Sequence, residues 1–149
     1  GDQGRACRRV SHQGRMADAA FAQLDDDAIA LGVITDGTHQ LDLAEGSVDL
    51  LISLFAGPVW QHCGRYLRAG GWLLANTSHG DASLAALDPT VRLSAVVHHR
   101  DDRYRLTTDR LDRYLIPKRP ERAHAEAIRA NGRGIAYTHT AFAYLFQRL

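Results

Sequence analysis

The sequence is poor in several residues whose scarcity narrows its chemistry. Lysine occurs once, at Lys118, and cysteine only at Cys7 and Cys63, among 149 residues. The two cysteines stand in unrelated contexts, so neither a disulfide framework nor a CxxC pair is expected, and a reducing cytoplasmic setting follows. No apolar run approaches the roughly 18 residues that a membrane-crossing helix needs. The opening residues, GDQGRACRRVSHQGRM, carry arginines with no apolar stretch behind them, which is not the pattern of a secretory signal. Internal repeats and low-complexity linkers are absent. The histidines lack HxxxH or HExxH spacing, and no serine sits in a GxSxG elbow.

What remains is an ordinary globular composition, 45% hydrophobic and 23% charged, at a length that fits one domain. Net charge is only +1, but it is unevenly spread. From Met16 to Gly64 there is no basic side chain except histidine, while Asp18, Asp25, Asp26, Asp27, Asp36, Asp42, Glu45 and Asp49 are acidic. The stretch from Arg100 to Arg133 leans basic, and Arg5, Arg8, Arg9 and Arg15 form a smaller cluster. Asp101, Asp102, Asp109 and Asp112 are interleaved with the later arginines, which favours solvated faces of opposite sign over a nucleic-acid surface. Arginine carries nearly all the positive charge, a bias that a GC-rich genome explains better than phosphate chemistry.

Hydrophobic patterning divides the chain into a leader, residues 1–15, and a single domain, 16–149. A short helix is expected over Met16–Leu24, with Phe21 and Leu24 facing inward. The run 28-AIALGVIT-35 reads as a strand that ends at the turn 36-DGTHQ-40. The run 48-VDLLISLF-55 is apolar at nearly every position, as a central parallel strand is when helices cover both faces. Pro58 then opens a helix to about Arg68, stopped by Gly70–Gly71. The next strand is 72-WLLANTS-78, followed by the helix 82-ASLAALD-88, which Pro89 stops. Strand and helix alternate, so a parallel sheet is expected. Beyond this, 91–100 and 103–107 read as strands joined by an Asp101–Asp102 turn. Thr108 or Asp109 would cap a short helix through Leu115. Pro117 and Pro120 bracket a connector, 121–130 is a helix closed by Asn131–Gly132, and 134–149 alternates like a long strand.

The segment 76-NTSHGD-81 gathers Ser78, His79 and Asp81 at a strand end, but they do not make a hydrolase triad. Successive strand residues point to opposite faces, and a triad draws its members from separate elements. The same divergence argues against metal binding by His98 with His99, and no metal site is expected; one of that pair should face in and the other out. A better reading is the rim of an open α/β sheet, where ligands bind beyond the carboxyl ends of the strands. Three strand ends there carry suitable groups: Asp36; Ser53, Leu54 and Phe55; and Asn76 to His79. Gly80 would allow the turn, and Asp81 or Ser78 would cap the following helix.

The run 33-VITDGTHQLDLAEGSVDLLISLF-55, followed by 65-RYLRAGGWLLANTS-78, resembles the middle of a class I S-adenosylmethionine-dependent methyltransferase. That family has an acidic residue after its third strand, a "Leu, a few residues, Ser-x-Asp" lead into the fourth, and a helix ending "LxxGG" before the fifth. With the closing strands near 91–107 and 134–148, the match spans about three quarters of the chain. It implies a Rossmann-like α/β sheet, mostly parallel with a C-terminal antiparallel hairpin. Asp36 would then lie near the cofactor's adenine amino group, with Gly37 and Thr38 as backbone neighbours. Ser53, Leu54 and Phe55 would border the cofactor, and Gly57, Asn76 and His79 would face the acceptor. His79 or His39 would serve as an optional base, because methyl transfer depends mainly on positioning. The sequence SLFAGP lacks the (Asn/Asp)-Pro-Pro-(Tyr/Phe) tetrapeptide of amino-methylating members, so methylation of a base or glutamine nitrogen is not implied.

The departure lies at the front. No strand–GxGxG–helix segment precedes Ala28, and the family's first two strands, which would separate 28–35 from 48–55, are lacking. Strand 48–55 is therefore expected to have an open edge, to be filled by a second copy, by another chain or by unusual pairing of the N-terminal strand. Two functions follow: a methyltransferase, truncated or degenerate in cofactor binding and of unknown substrate, or a non-catalytic dimerisation or partner-binding module derived from the same fold.

Overall fold

The computed structural model describes residues 31–32, 43–56 and 58–149. The leader, the helix expected over Met16–Leu24 and the turn 36–40 lie outside the described residues. Among the described residues the sheet has six strands: β1 (Leu31–Gly32), β2 (Val48–Ser53), β3 (Leu67–Ala75), β4 (Val91–Arg100), β5 (Arg103–Thr107) and β6 (Ala143–Arg148). Their order is β1-β2-β3-β6-β4-β5. β1 and β2 are parallel, as are β2 and β3, whereas β3–β6, β6–β4 and β4–β5 are antiparallel. The α/β class is thus as expected, but the sheet is mixed rather than mostly parallel, because β6 returns to lie between β3 and β4.

Strand alternation sorts the side chains into two layers. Leu51, Leu73, Ala75, Val96, Tyr144 and Phe146 face a core that also contains residues of each described α-helix. These helices are α1 (Val59–Cys63), α2 (Asp81–Ala86) and α3 (Ala125–Asn131). Ile52, Leu54, Leu74, Val97, Ala143 and Leu145 form the opposite layer, to which no described helix contributes. Both layers are deeply buried, with Leu73 at 0% and Leu74 at 1% exposure. Burying a leucine of this kind contributes roughly 1.5–3 kcal/mol, and this is what holds the central strands in register.

Several boundaries differ from the sequence expectation for local reasons. Gly70 and Gly71 do not end a helix; they lie inside β3, which starts at Leu67. Gly70 has φ 76°, and the pairing of β2 with β3 shifts register between Val48 and Leu50, so this glycine pair serves an irregular ladder. The helix after Pro58 is correspondingly short, continuing only as a 3-10 turn over Gly64–Tyr66. The helix expected before Leu115 is reduced to a 3-10 turn at Leu111–Arg113. The long strand expected over 134–149 is confined to Ala143–Arg148. Before it, the backbone bonds elsewhere: Gly134 N–H donates to the Thr77 carbonyl at 2.9 Å, and Thr138 N–H to the Ile116 carbonyl at 2.9 Å.

Other local signals act as read. Asp101 and Asp102 turn β4 into β5 with φ 50° and 57°, the paired left-handed conformation of a two-residue hairpin loop. Gly132 closes α3 at φ 59°, its N–H meeting the Ile128 and Arg129 carbonyls at 3.0 and 3.3 Å. The expected open edge of β2 is corrected: the chain's own β1 pairs there, Leu31 opposite Leu50 and Gly32 opposite Leu51. Residues 31–32 of the preceding apolar run thus occupy that ladder.

Candidate functional site

The carboxyl ends of β2 and β3 are tied together by two side chains. Asn76, which follows β3, accepts the Phe55 N–H on its Oδ1 at 3.2 Å. The same oxygen accepts the Ser78 hydroxyl at 2.8 Å, so both strand ends close on one amide. Asp81 makes the second link. Its Oδ2 accepts the Ser53 hydroxyl and, at 2.9 Å, the N–H of Val59 in the first turn of α1. An N–H there has no intrahelical partner, so the carboxylate supplies what the short helix lacks. Asp81 therefore does not cap its own helix. Gly80 precedes α2 at φ 97°, in the left-handed region, and no side chain caps it.

Asp81 is 1% exposed, and its Oδ1 is without a hydrogen-bond partner. Burial pushes its pKa above the ordinary carboxylate value, opposed by hydrogen bonds from Ser53 and from the Val59 and Trp60 backbone. Its role is to bind the end of β2, the start of α1 and the start of α2 into one unit. Sequence reasoning missed this, since a single Asp after Gly80 carries no mark of a long-range partner.

The residues expected at the rim are brought together unevenly. Ser53 is buried with its hydroxyl committed to Asp81, and Leu54 packs into the second layer. Asn76 is also buried, holding the loop rather than opening to solvent. Phe55 is different: it is 52% exposed and has φ 54°, a conformation uncommon for a bulky residue. His79 is exposed beside them. Asp36, Gly37, Thr38, His39 and Gly57 lie outside the described residues. Ser78, His79 and Asp81 do not form a triad, because Ser78 turns to Asn76 and Asp81 to Ser53. Among the described residues no group of three or more His, Cys, Asp or Glu is placed to hold a metal.

The rim extends through aromatic side chains that sequence reasoning did not assign to it. Phe142 meets Phe55 edge-on with ring centres 5.9 Å apart. It also meets His99 at 5.3 Å and Tyr104 at 5.7 Å. His99 lies flat on Tyr104, 4.3 Å away at 14°, the two being cross-strand partners in the β4–β5 hairpin. His98, on the opposite face of β4, pairs instead with the Tyr114 hydroxyl at 3.0 Å. The available signal was the hairpin register around Asp101–Asp102, which sets His99 opposite Tyr104.

Compared with family models, curated proteins and solved structures, the chain matches none. Among the described residues no helix is long and apolar enough to cross a membrane.

Proposed function

We propose that the chain is an S-adenosylmethionine-dependent methyltransferase-like protein that binds its ligands at the carboxyl ends of β2 and β3. The observation that carries this reading is the joining of those two parallel strand ends through Asn76 and Asp81. It makes a fixed rim where open α/β sheets take their ligands. The order of elements supports it as well: strand, helix and parallel strand, followed by closing antiparallel strands.

The donor set constrains how the cofactor would sit. Ser53 and Asn76 have their oxygens engaged within the protein, so the rim offers the Phe55 ring and the His79 imidazole. Polar contacts to the cofactor would come from Asp36, Gly37 and Thr38, as the family resemblance implies. When bound, the cofactor supplies an electrophilic methyl group. His79 would take the acceptor's proton where the acceptor has one to lose.

The engagement of the Ser53 and Asn76 side chains within the protein favours a second reading, a non-catalytic partner-binding module on the same scaffold. Calorimetric titration with S-adenosylmethionine and S-adenosylhomocysteine separates the two. Under the first reading, binding is tighter than about 1 mM and is lost in Asp36→Ala. Absence of heat from both compounds overturns it and leaves the binding module, for which light scattering should then show a dimer or larger assembly.

A further inference from the structure

Among the described strands, β5 pairs with β4 on one side and with nothing on the other. An edge of this kind carries a row of unpaired backbone N–H and C=O groups. Bulges and prolines usually blunt such an edge, and β5 has neither. Its pairing with β4, from Val96–Thr107 to Arg100–Arg103, runs without a register shift, and its sequence, RYRLT, holds no proline. Arg103, Tyr104, Arg105 and Thr107 line a concavity at the hairpin. These residues alternate between the two faces of the sheet, so the concavity follows the edge rather than either face.

Register sorts the hairpin's side chains by chemistry. His98, Arg100, Arg103 and Arg105 share one face; His99, Tyr104 and Leu106 share the other. Two of the acids that the sequence interleaves with the arginines stand outside the ladder. Asp101 and Asp102 form the loop, where Asp101 lies 3.5 Å from Arg100 with both side chains largely exposed. Among the described residues Arg103 and Arg105 have no ion pair. On the other face Tyr104 and Leu106 are half-buried against the second core layer. The edge thus presents two arginines, roughly 7 Å apart, on one face and two largely apolar side chains on the other.

Charge on an edge ordinarily prevents strand addition, and here it prevents one kind. Like charges directly opposite destabilise a pair, so the arginine row repels a second β5. A strand with acids at alternate positions meets the reverse condition. We propose that the β5 edge takes up an extended acidic segment of a partner protein, one that alternates carboxylates with apolar residues. Its backbone continues the sheet, its carboxylates stand opposite Arg103 and Arg105, and its apolar residues lie beside Tyr104 and Leu106. A nucleic acid fits less well, because it makes no use of the free ladder and because Asp101, Asp102 and Asp109 flank the strand. The edge shares no residue with the rim at the ends of β2 and β3, so it stands or falls apart from the cofactor titration.

The test is fluorescence anisotropy on the full chain with a labelled, end-blocked heptapeptide, Thr-Glu-Val-Glu-Val-Glu-Thr. Saturable binding below about 1 mM is expected. N-methylating the glutamates removes the donors along one edge of the extended peptide, and N-methylating the valines removes donors along the other. One of these two isomers should lose binding and the other retain it, which plain attraction between charges does not produce. Arg103→Gln combined with Arg105→Gln should weaken binding roughly two- to tenfold at low salt, and less at high salt. Arg103→Glu combined with Arg105→Glu should reject this peptide and accept its lysine counterpart. Absence of saturation, equal binding of the two N-methyl isomers, unchanged binding in the glutamine variant, or oligothymidylate bound as tightly as the peptide overturns the proposal.

Discussion

The Asn76 side-chain carbonyl accepts the Phe55 backbone N–H at 3.2 Å across the ends of two adjacent parallel strands. Removing that carbonyl should cost about 1–2 kcal/mol, because it also frees the Ser78 hydroxyl and N–H. Asn76→Ala is therefore expected to lower the urea midpoint. Phe55→Gly should leave it nearly unchanged or raise it, since glycine adopts φ 54° freely and an exposed ring is lost. A large loss in Phe55→Gly would show that the ring, not the clamp, stabilises the rim.

Asp81 links stability to pH. Its folded pKa is raised, mainly by burial, so the folded chain binds this proton more tightly than the unfolded chain does. Its favourable contribution is fullest below the ordinary value of 3.8 and declines as pH rises through the folded pKa. Asp81→Asn should flatten that part of the stability profile. Asp81→Ala should cost about 1–3 kcal/mol at neutral pH by leaving the Ser53 hydroxyl and Val59 N–H buried without their acceptor. Denaturant unfolding from mildly acid to neutral pH reads both outcomes, and an unaltered slope in Asp81→Asn would count against this role.

Tyr137 gives a signal at the alkaline end. Burial raises its phenol to about 12, against a hydrogen bond with Ser83 that acts the other way. Its contribution is present below the ordinary value of 10.0 and is lost as pH rises toward 12. Burial also raises Tyr144, so ultraviolet titration should show late-ionising tyrosines of which Tyr137→Phe removes one. If that variant titrates like the parent, the assignment is wrong.

Gly134 is a packing constraint rather than a turn. Its N–H donates to the Thr77 carbonyl at 2.9 Å, and a Cβ at this position would run into that same oxygen and lie 3.1 Å from Ser83 Oγ. Gly134→Ala should destabilise by about 1–3 kcal/mol, visible as a lower thermal midpoint. An unshifted midpoint would mean that the 134–142 segment moves away at little cost.

The hairpin loop offers a stabilising change. Asp101 and Asp102 both carry positive φ, which non-glycine residues adopt at about 1–2 kcal/mol each, somewhat less for aspartate. Replacing the pair by Asn-Gly should raise stability by about 1 kcal/mol without altering the His99–Tyr104 stack. Thermal melts test the first part, and the ring-shifted Tyr104 proton resonances test the second.

Much of the fold was legible because the elements concerned obey local rules. The apolar run at 48–55, the Asp101–Asp102 turn and the Gly132 stop each declare themselves within a few residues. The candidate rim at Ser53–Phe55 and Asn76–His79 was legible for the same reason, as polar and aromatic residues closing apolar strands. What stayed hidden depends on pairing at long range. Asp81 reaches Ser53 across the sheet, Phe142 joins His99 only after β6 is placed, and β1 takes the edge of β2 that the family pattern leaves to other strands. The glycine pair at 70–71 was misplaced because a bulged ladder and a helix stop use the same residues.

The position of β6 has a kinetic consequence. Among the described strands, β1–β3 on one side and β4–β5 on the other are joined through β6, with Ala75 opposite Tyr144 and Val97 opposite Ala143. The β4–β5 hairpin can form early, since its contacts are local, but it has no ladder to dock on until β6 closes a loop reaching back to β3. Loop-closure entropy must be met before either half gains its buried surface, so the rate should follow contact order rather than helix content. Substitutions that weaken β6 pairing or the early hairpin should therefore slow folding, whereas those in α3, which packs later, should act mainly on unfolding.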